Sequence, residues 1–213
     1  MSLIDAFRRV LVLCAHTDDE FGCAGTVLRL TGAGAEVRYL ALSDCRASVP
    51  EGFAPDALAR ECYACTAALG IPRERVEVGP FPVRYFPRDR QAILERLVAL
   101  ARSYAPDLVL LPSSRDTHQD HAVVAAEGFR AFKHSTVLGY ELPQNLVTFE
   151  NSAFVALPGD TLDRKVAALG AYASQGFRPY SADAFIRGLA TVRGVQCGAD
   201  YAEAFEVVRL IVP

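Results

Sequence analysis

Tryptophan is absent from the 213 residues, methionine occurs once and histidine only four times. No apolar run reaches the roughly 18 residues that a transmembrane helix requires, so no stable membrane insertion is expected. No basic block stands out and the net charge is −3, which argues against nucleic acid or an anionic membrane surface as the main partner. The opening stretch, MSLIDAFRRV, lacks the apolar core of a signal peptide, and a cytoplasmic protein is the default expectation. Low-complexity segments, internal repeats and linkers are missing too, while 51% of the residues are hydrophobic. A single domain over residues 1–213 is therefore expected, long enough to bury a sizeable core.

Six cysteines in a chain of this length do not suggest a disulfide scaffold. Cys62 and Cys65 form a lone CxxC within a helical pattern. A zinc ribbon needs a second pair, and a redox motif needs a helix start after a strand, so a buried, inert pair is expected. Cys14 and Cys23 bracket a charged loop and read as small packing residues.

What the chain does contain is alternation. Strand-like runs at 9–15, 36–43, 75–79, 107–113 and 135–142 are separated by helical patterns at about 21–33, 56–70, 89–104 and 119–132. A further strand near 152–157, helices at about 160–173 and 182–195, and a closing strand in AEAFEVVRL follow. This order predicts an α/β, Rossmann-like fold with a mostly parallel sheet covered by helices on both faces. In such sheets, ligands bind beyond the carboxyl ends of the strands.

Two of those ends carry unusual chemistry. HTDDE (16–20) follows the first strand and RDTHQDH (115–121) follows the fourth, and together they hold three of the four histidines. Capping accounts for part of this. Thr17 to Glu20 is the T-x-x-E of a capping box, Thr117 to Asp120 has the related spacing, and acids in a first helical turn suit the helix dipole. Imidazoles do not, since a protonated ring at a helix N-terminus is opposed by the same dipole. Two imidazoles and a carboxylate instead make a three-point metal site with a position left for water or substrate. That set suits Zn²⁺, and Fe²⁺ in facial geometry. Of the adjacent Asp18 and Asp19, one can ligate while the other takes a proton from metal-activated water; spacing does not decide which. His118 and His121 divide in the same way, one to the metal and one to the substrate as acid or oxyanion donor, with Asp120 placed to orient a histidine.

These residues resemble a known family. VLVLCAHTDDEFGCAGT is similar to the first signature of the PIG-L/LmbE-like deacetylases, written around A-H-P-D-D-E, and DTHQDH to their second, H-P-D-H. LDRKVAALGAYASQ (162–175) and RGVQCGADYAEAF (193–205) resemble stretches common in bacterial members. The resemblance implies a Zn²⁺-dependent hydrolase that removes acetyl from an N-acetylated amino sugar, often an N-acetylglucosamine conjugate. It implies His16, Asp19 and His121 as metal ligands, Asp18 as general base, and His118 as acid and oxyanion stabiliser with Asp120 as its partner. Thr17 and Gln119 replace the prolines of the two signatures, and Asp116 stands where some relatives carry an aromatic hydroxyl. Leu58 replaces an arginine found three residues before the glutamate that matches Glu61.

Arg46 and Arg84, on loops after the second and third strands, are candidates to grip sugar hydroxyls, a phosphate or a carboxylate. Glu203 is a candidate to pack against or orient the site, and His134 reads as surface. The partner expected is a small N-acetylated sugar conjugate, and homo-oligomerisation is left open. Two other readings stand beside this one. An Fe²⁺ 2-His-1-carboxylate enzyme is disfavoured by the α/β alternation. A non-catalytic sugar- or nucleotide-binding module is weakened, for nucleotides, by the absence of G-x-G-x-x-G after the first strand.

Overall fold

The computed structural model describes residues 3–211. The two residues at each end of the domain expected over 1–213, including the start of the stretch read for a signal peptide, lie outside the described residues.

The apolar runs form β1 (Arg9–Cys14), β2 (Glu36–Ala41), β3 (Val76–Val78), β4 (Leu108–Pro112), β5 (Thr136–Tyr140), β6 (Ala153–Ala156) and β7 (Ala202–Arg209). They make one sheet in the order β3-β2-β1-β4-β5-β7-β6. β1 to β5 are parallel. β7 runs antiparallel to both β5 and β6, so the closing segment is inserted into the sheet and does not extend its edge. The helices are α1 (Ala24–Gly32), α2 (Ala57–Ala68), α3 (Phe86–Tyr104), α4 (Gln119–Ala131), α5 (Gly159–Leu169) and α6 (Asp183–Cys197). Among the described residues, none is long and apolar enough to cross a membrane.

β1 shows why its sequence is continuously apolar. Val10, Val12 and Cys14 project into a core formed with α1, α2, α5 and α6, whereas Leu11 and Leu13 project into a second core formed with α3 and α4. A strand buried on both faces has no polar side to alternate with. α3 places Ile93, Leu97, Leu100 and Tyr104 on one buried stripe at helical spacing. It begins three residues earlier than the periodicity predicts, with Pro87 in its first turn, where a missing N–H costs nothing. Cys62 and Cys65 are buried and free on α2, with both thiols pushed up by burial.

β1 lies between β2 and β4. The ends of the first and fourth strands are therefore side by side, and residues 15–20 meet residues 113–121 at the carboxyl edge.

Candidate metal centre and cleft

The first loop does not start a helix directly. Asp19–Gly22 form a 3-10 turn, and α1 begins only at Ala24. The delay lets the loop wrap inward. Gly22 permits this, because a Cβ there would lie 2.6 Å from the Glu141 carbonyl oxygen and 2.9 Å from the Tyr140 ring. The capping expectation fails at this point. Thr17 makes no capping bond, and its Oγ1 is buried without a hydrogen-bond partner among the described residues. Glu20 turns into the core and accepts from Tyr39 Oη (2.8 Å) and Tyr172 Oη (2.5 Å), with burial raising its pKa to about 7. Local spacing suggested a cap, but tertiary packing supplied stronger partners.

Three atoms converge. His16 Nδ1 lies 3.0 Å from His121 Nε2, and Asp19 Oδ1 lies 3.2 Å from His121 Nε2 and 3.6 Å from His16 Nδ1. A tetrahedral ion with bonds of ~2.0–2.1 Å needs ligand–ligand edges of about 3.3 Å, which these separations bracket. The donor set therefore fits a divalent ion. Its second nitrogens are occupied: His16 Nε2 meets Asp120 Oδ2 at 3.1 Å, and His121 Nδ1 meets Asp116 Oδ2 at 2.7 Å. Such carboxylate partners fix the ring tautomer and aim the other lone pair inward. Asp19 Oδ2 is itself held by the amides of Ala15 and His16, both at 2.8 Å.

The electrostatics favour positive charge at this point. Burial alone would lower the two imidazoles, but Asp19, with Asp120 or Asp116, outweighs it and raises His16 to about 9 and His121 to about 10. Burial likewise opposes ionisation of Asp19, yet the two histidines hold it well below the usual carboxylate range. Protons and a cation compete for the same nitrogens. Asp18, half-buried on the cleft side, is raised by burial and by the charge of Asp19.

His118 comes within 4.8 Å of the other two histidines by its ring nitrogens but is held differently. It caps α4: Nδ1 accepts from the Asp120 amide at 3.2 Å. A neutral ring that accepts there carries its proton on Nε2, and burial, then the neighbouring histidines, lowers its pKa. Asp120 is therefore not the side-chain partner of His118, as the resemblance implied. Its carboxylate serves His16 and accepts from the amides of Arg84 (2.5 Å) and Phe86 (3.2 Å).

The cluster opens into a cleft of about 520 Å³ lined by Asp18, His118, Arg84, Asn145, Arg178 and Tyr180, among others. Arg46 is not brought there. Its guanidinium is exposed against Asp44, because Cys45 takes a left-handed turn (φ 54°) and the following 3-10 turn presents Ser48 to the cleft instead. Glu203 reaches the loop indirectly, by holding the start of α1, and His134 is exposed.

Residues 11–132 match the family described as PIG-L: GlcNAc-PI de-N-acetylase, more than half of the chain. The chain belongs to the PIG-L family. Its fold is similar to that of N,N'-diacetylchitobiose deacetylase from Pyrococcus horikoshii, at 20% identity and a TM-score of 0.80 over 95% of this chain and 84% of that one. It is similar also to GalB, the 4-carboxy-2-hydroxymuconate hydratase from Pseudomonas putida KT2440, at 21% identity and a TM-score of 0.76 over 97% and 98% of the two chains. A third is teicoplanin deacetylase Orf2 in its zinc-inhibited form, at 14% identity and a TM-score of 0.73 over 92% and 96%.

Relative to the PIG-L signatures, the sequence reading missed Asp116 as a partner of His121, and Arg178 and Tyr180 as cleft residues. Asp116 lies five positions from His121, a spacing with no helical meaning. Arg178 and Tyr180 lie in QGFRPYS, whose only legible signal is that of a loop.

Proposed function

We propose that this PIG-L member is a zinc-dependent hydrolase that removes the N-acetyl group from an amino-sugar conjugate of the N-acetylglucosamine type. The observation that carries the reading is the convergence of His16 Nδ1, His121 Nε2 and Asp19 Oδ1, backed by Asp120 and Asp116 and open on the side of Asp18 and His118. A zinc ion held by those three residues supplies Lewis-acid polarisation of the amide and activation of water.

The chain's own residues supply the rest. Asp18, its pKa raised by burial and by the charge of Asp19, takes the proton from the attacking water and returns it to the departing amine. His118, neutral with its proton on Nε2, donates to the oxyanion of the tetrahedral intermediate. A ring held in that state is suited to the oxyanion role, which leaves proton delivery to Asp18. Amide and water become acetate and amine. Arg84 contacts the conjugate from the cleft wall.

Two deacetylases and a hydratase share the scaffold, so fold alone does not choose the reaction. The deciding experiment is acetate release from a panel of N-acetylglucosamine conjugates, with zinc and with chelator. Release that chelator abolishes and zinc restores, and that falls by about 10²–10⁴ in Asp18→Asn, is the expected result. No acetate from any conjugate would refute the reading. Iron in the purified protein, with oxygen uptake, would favour the Fe²⁺ alternative.

A further inference from the structure

We propose that Arg84 and Arg178 bind an anionic group, phosphate or carboxylate, on the conjugated part of the substrate, so that the cleft selects charged over neutral amino-sugar conjugates. The proposal rests on the amino-sugar reading above and adds the charge of the substrate to it.

Both arginines line the cleft, and neither forms an ion pair among the described residues. Among the described residues, the Arg84 guanidinium donates only to Ser48 Oγ, at 3.2 Å, and that of Arg178 only lies over the Phe177 ring, 4.7 Å from its centroid. Elsewhere arginines find carboxylates: Arg90 and Arg130 share Glu127, and Arg193 takes Glu141. Asp19, an acid of the same cleft, is engaged with His16 and His121 instead. Each cleft arginine thus keeps most of its five N–H donors available, in a fork that matches carboxylate and phosphate oxygens.

Both are also held in place from behind. Arg84 has φ 74°, a left-handed conformation unusual for a residue with a side chain, and its amide donates to Asp120 Oδ2, the carboxylate that orients His16. Arg178 hangs from a segment fixed at several points. Its amide donates to the Gln175 carbonyl and its own carbonyl accepts from Ser181 Oγ. Just upstream, Glu61 accepts from the Ser174 amide and hydroxyl, and Tyr172 Oη reaches the Thr17 carbonyl and Glu20 in the metal loop. These bonds fix the backbone from which each arginine reaches out, so no loop has to be ordered when an anion binds.

The test is calorimetric titration of zinc-loaded Asp18→Asn protein, in which turnover is blocked, with three probes: N-acetylglucosamine 1-phosphate, N-acetylmuramic acid and methyl N-acetylglucosaminide. At least one anionic probe is expected to bind roughly tenfold or more tightly than the neutral glycoside, and the better of the two identifies the anion. Arg178→Gln and Arg84→Gln should each cut that preference several-fold. Arg178→Lys, which keeps the charge, should retain part of it and so separate lost charge from lost fold. Equal binding of charged and neutral probes, or a preference that survives both Gln substitutions, overturns the proposal. Acetate release is not read here, so a failure of the assigned reaction would show in the acetate assay and not in this titration.

Discussion

Asp116 and Asp120 perform one task from two places in the second signature, each accepting from the outer nitrogen of a different histidine. The proton is thereby fixed on His121 Nδ1 and His16 Nε2, and the lone pairs of His121 Nε2 and His16 Nδ1 face Asp19. An asparagine at either position can present its NH₂ to the imidazole and reverse the tautomer. Asp116→Asn and Asp120→Asn are each expected to weaken zinc binding by about 10–100-fold, measured by competition with a chromophoric chelator. An affinity within twofold of wild type in both would refute the tautomer argument. The meeting of His16 with His121 was legible from their positions after the first and fourth strands, where capping gave no account of either ring; His118, by contrast, does cap α4 through Nδ1. Which carboxylate serves which ring was not. That depends on the side-chain path across the β1–β4 edge, where Asp120 reaches His16, 104 positions away in the chain.

At the scale of elements, the metal loop is secured by a strand from the other end of the chain. Glu203 on β7 accepts from the Gly25 amide (2.8 Å), the Thr26 amide (2.7 Å) and Thr26 Oγ1 (2.6 Å), and pairs with Lys165 Nζ of α5 at 2.7 Å. This buried carboxylate caps α1, the task local spacing had assigned to Thr17 and Glu20. Gly25 admits it, since a Cβ there would lie 2.9 Å from Glu203 Oε1. Glu203→Ala strands the Lys165 ammonium in the interior and leaves two helix amides unpaired. Its expected cost is about 3–5 kcal/mol in urea denaturation. Adding Lys165→Met removes the stranded charge, so the double variant should recover part of the loss. A single-variant cost below about 1 kcal/mol would contradict the assignment. The five parallel strands were readable as apolar runs flanked by helical periodicity. The insertion of β7 between β5 and β6 was not, because strand direction and order leave no mark on apolar content.

For the whole molecule, the candidate metal centre is a junction between halves of the chain. His16 and Asp19 come from the end of β1 and His121 from α4, and the loop between Leu142 and Leu146 closes over them, with Asn145 Nδ2 3.3 Å from Asp116 Oδ2. A bound cation therefore joins segments that separate on unfolding, and its binding energy adds to stability. At a free zinc concentration near 1,000 times Kd the gain is about 4 kcal/mol. For a domain of this size, each kcal/mol moves Tm by roughly 2–4 °C. Zinc should thus raise Tm by about 10 °C over chelator-treated protein in a scanning melt. Asp120→Asn, which weakens the site without removing a ligand, should shrink the increment, and His121→Ala should abolish it. Equal Tm with zinc and with chelator would mean that the cluster does not bind the ion in the folded state. The metal-centred reading of the cleft would then fall, however well the three donor atoms converge.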